Sequence, residues 1–420
     1  MRFCLSMITL LVITLLPLSA CQRQHHAAQP TVAPLSQMAL IGKKLFYARS
    51  LSISGQQSCA SCHDPAHGYS PADDRDTELG GADGHQQGFR AVPKLSYALM
   101  TPAFSLGAEE AEGHAGSVLA RQDRHGPKRS TDLVPRGGMF WDGRVDSLQG
   151  QALGPLLNPL EMGNTSVAML VGRLKALAVD RDLLPLVGPA VQHDDRLLLA
   201  EALFAIGRYE FEDHSFARFD SKYDRYLHHQ VQLSPAELRG LADFEDPKIG
   251  NCAACHPSRP QAQGQPPLFT DYEYEALGVP RNPRLQVNHD AHFYDLGLGG
   301  PQRQDSYAHQ PGNCGLFKTP TLRNVALRHT YFHNGIYHNL HEVLRFYAER
   351  DAHPERIYPR DAEGHLAIFN DLPRRYQGNI DRIDAPLNRQ RGDAPALSAA
   401  QQDDIIAFLG TLSDGYPAPR

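Results

Sequence analysis

The strongest constraint on this chain is a pentapeptide of the form Cys-x-x-Cys-His that occurs twice. The first motif is Cys59-Ala60-Ser61-Cys62-His63, and the second motif is Cys252-Ala253-Ala254-Cys255-His256. Two thiols at this spacing add across the two vinyl groups of one porphyrin, and the adjacent histidine becomes an axial ligand of the iron. Paired disulfides or a zinc site would not require a histidine at the same place twice. The sequence therefore predicts two c-type haems, with His63 and His256 as iron ligands.

The first twenty residues predict export. Arg2 precedes a short apolar run at 10–17, which is followed by Leu18-Ser19-Ala20-Cys21. The run is too short to span a bilayer comfortably, and small residues before a cleavage point are typical of secretory signals. The tetrad resembles the bacterial lipoprotein signal, although an ordinary signal peptide with an incidental cysteine is the alternative. We expect a lipoprotein signal peptide at 1–20 and a flexible tether at 21–36. Lipid on Cys21 then anchors a periplasmic protein to a membrane of a Gram-negative bacterium, which we take to be the outer membrane.

Composition limits the classes of partner. The 420 residues carry a net charge of −6, are 41% hydrophobic, and include 35 Gly and 31 Pro. A substantial core can be buried, whereas no excess of basic residues is available to follow a phosphate backbone. We therefore expect a folded, loop-rich protein that does not bind nucleic acid.

Hydrophobic periodicity predicts helices, and strand alternation is scarce. The predicted helices span 38–49, 166–177, 194–211, 234–244, 339–350 and 398–412, whereas 64–138 is expected to be a long ordered loop region. Each haem motif follows a predicted helix and precedes further helices. This order predicts an all-α fold of two cytochrome-c-like domains, each with one covalently attached c-type haem, joined by long ordered loops. The expected domains are 37–225 and 226–420.

Rare residues narrow the choice of iron ligands. No methionine follows Met169, so a haem in the second half cannot take the usual Met ligand from its own domain. The candidate ligands there are His333, His338, His341 and Tyr347, and composition alone favours histidine.

Trp141 is the single tryptophan and lies in a Gly/Asp/Arg-rich stretch, which favours a functional role over a core anchor. The isolated Cys314 is expected to be a buried or idle thiol.

Over roughly residues 37–415, the chain resembles the bacterial di-haem cytochrome c peroxidase/MauG superfamily. Besides the two haem motifs, the matching stretches are 140–144 (Phe-Trp-Asp-Gly-Arg), 151–155 (Gln-Ala-Leu-Gly-Pro), 158–163 (Asn-Pro-Leu-Glu-Met-Gly), 317–325 (Phe-Lys-Thr-Pro-Thr-Leu-Arg-Asn-Val) and 331–335 (Tyr-Phe-His-Asn-Gly). The resemblance implies that the first haem reacts with peroxide and has His63 as its proximal ligand. It also implies that Glu161 is the distal acid or base, that Gln151 is a second distal residue with Pro155 as a wall of that pocket, and that Trp141 relays oxidising equivalents between the haems.

The resemblance also bears on the second haem, whose proximal ligand would be His256. In the peroxide-removing members its sixth ligand is a Met, fourteen residues after the His of the Tyr-Phe-His motif. In the MauG and MbnH-type enzymes that position is a tyrosine. Fourteen residues after His333 stands Tyr347. The chain is therefore most similar to the tyrosine-ligated enzymes, and we expect Tyr347 rather than a histidine to be the ligand.

Two departures from the family pattern stand out. Members usually have Asn in an Arg-Asn-x-Pro segment that helps to bind calcium between the haems, but here the segment is Arg90-Ala91-Val92-Pro93. Backbone oxygens and water remain as possible ligands, so calcium is a doubtful cofactor. The peroxide-removing members also carry a switchable distal histidine after the first haem, with which His85 does not align cleanly. The insertion at 106–133 is unusual and is expected to shape a partner surface.

The expected function follows from the resemblance. A MauG-type enzyme uses hydrogen peroxide to generate a high-valent di-haem state and oxidises Trp or Tyr residues of a partner protein by long-range electron transfer. The alternative is a di-haem peroxidase that reduces peroxide to water with electrons from a small cytochrome or copper protein. A third possibility, a non-enzymatic electron carrier, requires two irons with strong ligands on both faces.

Overall fold

Helices and their caps dominate the architecture. The computed structural model describes residues 33–108, 133–261 and 264–417. The predicted signal peptide, Cys21 and most of the tether lie outside the described residues, as does most of the 106–133 insertion. The helices are α1 (Gln37–Phe46), α2 (Cys59–Cys62), α3 (Leu148–Leu157), α4 (Val167–Ala176), α5 (Val179–Val187), α6 (Asp195–Glu212), α7 (Lys222–Leu227), α8 (Pro235–Glu245), α9 (Leu340–Glu349) and α10 (Ala399–Gly410).

All six predicted helices are confirmed to within a few residues. Each begins after a side chain that accepts a hydrogen bond from an amide of the first turn, which satisfies a donor that the helix itself leaves unpaired. The capping residues are Ser36, Ser166, Asp194, Ser234, Asn339 and Ser398. The periodicity did not predict α2, α3, α5 and α7. Pro155 lies inside α3 and Pro185 inside α5, and α2 and α7 have only four and six residues.

Two hydrophobic cores organise the helices. The first core joins α1 with α3–α6, and the second core joins α7–α10. Each core contains one very close helix crossing. A Cβ on Gly42 would lie 1.8 Å from the Ala205 carbonyl oxygen where α1 crosses α6, and one on Gly240 would lie 1.9 Å from the Asp404 carbonyl oxygen where α8 crosses α10. In each half of the chain, a glycine without a side chain therefore allows two helices to pack closely.

Residues Leu35–Arg420 form one compact unit. The predicted boundary after residue 225 falls inside α7, whose Tyr223 packs in the second core. The division into two domains stays a prediction.

The strands are short and form three two-stranded pairs within the described residues. β1 (Leu79–Gly80) pairs with β2 (Gln86–Gln87), β3 (Ser105–Ala108) with β4 (Leu133–Arg136), and β5 (Tyr274–Glu275) with β6 (Phe317–Lys318), all antiparallel. The described polypeptide between the helices is otherwise mostly loop, as expected for 64–108 and 133–138, the described parts of the predicted loop region. Among the residues that the structure describes, no helix is long and apolar enough to cross a membrane. Cys314 is fully buried, as predicted.

Candidate functional site

The first haem motif is held at the end of a capped helical turn. α2 contains both cysteines, and Ser58 and Ser61 form a capping box before it. Nδ1 of the following His63 lies 3.1 Å from the carbonyl oxygen of Tyr69. Because a carbonyl only accepts hydrogen bonds, Nδ1 carries the proton and Nε2 is left as the ligand atom. Burial lowers the pKa of His63 to about 4, which keeps the imidazole neutral.

The second haem motif repeats this arrangement. Nδ1 of His256 lies 2.8 Å from the carbonyl oxygen of Phe269, and burial lowers the pKa of His256 to about 4. The motif opens onto a cavity of 310 Å³, whose apolar wall includes Leu344 and Leu409. Two cysteines, a neutral imidazole with Nε2 available and an apolar wall are what a covalently attached porphyrin requires. The residues present therefore fit a c-type haem at this motif.

Tyr347 lies on α9 and lines the cavity that contains the second motif. Burial raises the pKa of Tyr347 above its ordinary value, and the nearby thiols of Cys255 and Cys252 raise it further. The phenol therefore lies close to the cysteines to which the porphyrin would be joined. Its ring contacts Phe332 and Phe346, with centroid distances of 6.0 Å and 5.5 Å.

The three histidines that composition favoured are each paired with a carboxylate through Nε2. His333 lies 3.2 Å from Asp371 and stacks on Phe317, although it also lines the cavity. His338 lies 3.0 Å from Asp76, and His341 lies 3.1 Å from Asp403. Of the four candidate ligands, Tyr347 stands out because its pKa is affected by the thiols of the second haem motif.

Glu161 lies beside the first motif. Its charge raises the pKa of the thiols of Cys59 and Cys62, after the larger effect of burial. Glu161 is an exposed residue, yet protein atoms crowd its carboxyl, and this partial loss of water raises the pKa of the carboxyl. Asn158 donates a short hydrogen bond to Oε1. The backbone is fixed as well, because the Gly81 amide donates to the Glu161 carbonyl oxygen at 2.7 Å.

Trp141 is held on both sides. Its indole Nε1 donates to the carbonyl oxygen of Ala91 at 2.8 Å, and its own carbonyl oxygen accepts from the amide of Lys318 at 2.9 Å. Trp141 and Gln151 both line the cavity of the second motif, whereas Glu161 does not. The structure therefore brings the predicted residues together in two groups, one around each motif.

Several charged residues beside these groups were not predicted. Arg90 donates to both oxygens of Asp295 at 2.6 and 2.7 Å and to Asp142 at 2.8 Å, next to Trp141 in the chain. Glu210 on α6 is buried, and its Oε2 has no hydrogen-bond partner among the described residues. Burial raises its pKa to about 8, and its charge affects Cys59. An acidic residue at a buried helical position was the available signal for Glu210.

The likeness to known proteins covers nearly the whole chain. Residues 36–232 match the family described as di-haem cytochrome c peroxidase. The methylamine utilization protein MauG of Paracoccus denitrificans is 33% identical over 90% of this chain and 88% of its own length. The cytochrome c551 peroxidase of Pseudomonas aeruginosa is 27% identical over 84% of this chain and 83% of its own. The crystal structure of the diheme peroxidase BthA from Burkholderia thailandensis covers 91% of this chain and 87% of its own, with 33% identity and a TM-score of 0.78.

Proposed function

Because the chain belongs to the di-haem cytochrome c peroxidase/MauG family of oxidoreductases, we propose that it uses hydrogen peroxide to oxidise residues of a partner protein. Tryptophan and tyrosine side chains of that partner are the intended targets, and the oxidising equivalents travel through this chain rather than by direct contact with the first haem. The two c-type haems implied by the family supply peroxide activation and storage of oxidising equivalents when bound.

The observation that carries this proposal is the position of Tyr347. The phenol lies near Cys252 and Cys255 in the cavity of the second motif, and the neutral His256 lines the same cavity. A phenolate is a hard, anionic ligand that favours oxidised iron, whereas a Met thioether favours reduced iron. Its raised pKa means that the phenol loses its proton only beside a strong cation, which a ferric centre provides. A tyrosine here therefore suits an enzyme that removes electrons from a difficult donor.

Glu161 is proposed to move the proton at the first haem. Crowding by protein atoms raises the pKa of its carboxyl, so the acid keeps its proton to higher pH than a fully solvated glutamate does. A protonated carboxyl beside the reacting oxygen can donate to the departing oxygen atom as the O–O bond breaks. The hydrogen bond from Asn158 orients the carboxyl for this step. From the family resemblance, Gln151 is proposed as a second polar group of the first haem's distal pocket, although it also lines the cavity that contains the second motif.

Trp141 is proposed to relay electrons between the two haem sites. Its indole is fixed by the Ala91 carbonyl, and the neighbouring Asp142 is fully buried and paired with Arg90 and Arg144, each at 2.8 Å. A relay residue benefits from such anchoring because the distances along an electron path then stay constant. A periplasmic location and a lipid anchor at Cys21 complete the proposal.

The test uses holoenzyme with peroxide and two competing probes. One probe is an equimolar mixture of N-acetyltryptophanamide and N-acetyltyrosinamide, followed by mass spectrometry, and the other is a reduced small cytochrome c, followed by absorbance. We expect peroxide-dependent oxidation of the amides, and we expect Tyr347→Met to shift oxidation toward the cytochrome. If peroxide is consumed only with the cytochrome and Tyr347→Met leaves that partition unchanged, the alternative peroxidase function is correct.

A further inference from the structure

A half-buried arginine lies where three functional segments meet. Arg328 donates from Nη2 to the carbonyl oxygen of Val92 and from Nε to that of Thr330, both at 3.1 Å, and Nη1 lies 3.4 Å from Oγ of Ser70. Within the described parts of the chain, no carboxylate forms an ion pair with it. Burial lowers its pKa to about 10, so the guanidinium remains a cation at neutral pH. It also lines the cavity of the second motif.

Each acceptor belongs to a segment that places a site residue. Ser70 follows Tyr69, whose carbonyl oxygen accepts from His63. Val92 follows Ala91, whose carbonyl oxygen accepts from the indole of Trp141. One cation thus joins the loop after the first haem motif to the segment that anchors the tryptophan.

The third acceptor, Thr330, is local, two residues after Arg328, and the link to the second half comes from the position of Arg328 itself and from a backbone bond. Thr330 leads into the Tyr-Phe-His stretch, and the carbonyl oxygen of His333 accepts from the Ala91 amide at 2.7 Å. Ala91 is therefore bonded on one side to the second half and on the other to Trp141, while Arg328 holds the next residue, Val92. The separations along the chain, 236 residues to Val92 and 258 to Ser70, make these long-range contacts.

The same segment does not fit the calcium that the family resemblance implies. Ala91 stands where the amide ligand is expected, and the carbonyl oxygen of Val92 is already bonded to the guanidinium. A divalent cation placed beside a half-buried guanidinium would be repelled, and strongly so away from bulk water.

We propose that the guanidinium of Arg328 takes the place of calcium, as a permanent cation of the chain that positions the segment anchoring Trp141. Arg328 is a positioning residue in this proposal, because it acts on Trp141 through the Ala91–Val92 backbone. The inference concerns the resident cation and the placement of the indole, and it stands whether or not Trp141 relays electrons as proposed above.

The first arm of the test asks whether the wild-type holoenzyme needs calcium. Calcium content is measured by mass spectrometry of the dialysed protein, and the melting temperature is measured with EDTA and with added Ca²⁺. We expect no stoichiometric calcium and no shift in Tm with either addition. Stoichiometric calcium, or a fall in Tm on chelation, would overturn the proposal, and this arm does not depend on any variant folding.

The second arm reads the single tryptophan directly. Because Trp141 is the only Trp, the ultraviolet resonance Raman marker of indole N–H hydrogen bonding reports this residue alone. We expect Arg328→Met to shift the marker toward a weaker hydrogen bond and to lower Tm by about 5 °C, with Arg328→Lys intermediate. The matched control is Arg360→Met, since Arg360 is exposed and bonds only locally to Gly364. An unchanged marker in Arg328→Met, or an equal shift in the control, would contradict the positioning role.

Discussion

The two haem motifs hold their histidines in the same way and differ in the residues that surround them. In both, the histidine after the cysteines points Nδ1 at a backbone carbonyl, Tyr69 for His63 and Phe269 for His256, and is neutral. The charges of Glu161, Glu210 and Glu78 act on the cysteines of the first motif. The second motif opens onto a mostly apolar cavity that contains a phenol, although acidic side chains also line it. In the function proposed here, one mode of haem attachment serves two tasks, because the other groups at each site determine whether it handles protons or holds an oxidised metal.

The carboxyl groups near the first motif carry shifted pKa values. Burial raises the pKa of Glu210 to about 8 and that of Glu78 to about 7, and both charges act on the haem cysteines. Near neutral pH these groups can therefore hold protons close to the first haem. At the second motif, burial instead raises the pKa of Tyr347. Near neutral pH, therefore, carboxyl groups titrate at the first site, whereas at the second site Lys318 has a pKa in this range, at about 8.

The largest effect is expected from a substitution at Glu161, the proposed acid beside the first motif. Glu161→Gln should lower the second-order rate constant for reaction with peroxide by about 10²–10⁴-fold, because a positioned general acid contributes a factor of this size. Stopped-flow absorbance of the first haem measures this rate. The matched control is Glu363→Gln at an exposed position. A loss smaller than about threefold would remove Glu161 from the acid–base role.

A second prediction tests whether the two cores are built alike. Gly42→Ala and Gly240→Ala should each lower the free energy of unfolding by about 1–3 kcal/mol, since each Cβ collides with a backbone carbonyl at a helix crossing. Gly172→Ala on α4 is the control, because a Cβ there meets nothing within 4 Å and should stabilise by up to about 1 kcal/mol. Denaturant titrations measure all three. If only one of the two substitutions lowers the free energy of unfolding, the two helix crossings are not built alike.

The smallest effect is a pH dependence of stability that comes from Glu210 in the first half. The pKa of Glu210 is raised from 4.5 to about 8 in the folded protein, so the folded state keeps the extra proton between these values. Its contribution to stability therefore falls as pH rises from about 4.5 to 8. Relative to wild type, Glu210→Gln should raise Tm at pH 9 more than at pH 5, measured by differential scanning calorimetry. The same gain at both pH values would contradict the assigned protonation.

Sequence alone predicted the parts that depend on local chemistry. The haem motifs follow from covalent spacing, and the six helices follow from periodicity and from caps such as Ser234. Helices α3 and α5 were missed because Pro155 and Pro185 suggest helix ends, although both are accommodated inside the helices. The spacing of Tyr347 pointed to a position that lies near the second-motif cysteines, while its ligand role stays a prediction.

Long-range polar contacts could not be predicted from one sequence. Arg90 reaches Asp295 across 205 residues, and Arg328 reaches Val92 across 236. No periodicity or motif in the sequence links the two partners of either pair. The partners meet only because the two halves of the chain pack together. The departure at Ala91 indicated that calcium was doubtful, but only the structure shows a guanidinium bonded to that segment.

The central claim is that Tyr347 is the iron ligand that distinguishes the second site. Electron paramagnetic resonance and optical spectra of the oxidised holoenzyme test it directly, compared with those of Tyr347→Phe. We predict a low-spin histidine/tyrosine signal together with a high-spin signal from the first haem, and loss of the low-spin signal in the variant. Persistence of that signal in Tyr347→Phe, or two bis-histidine haems that peroxide leaves unchanged, would contradict the account.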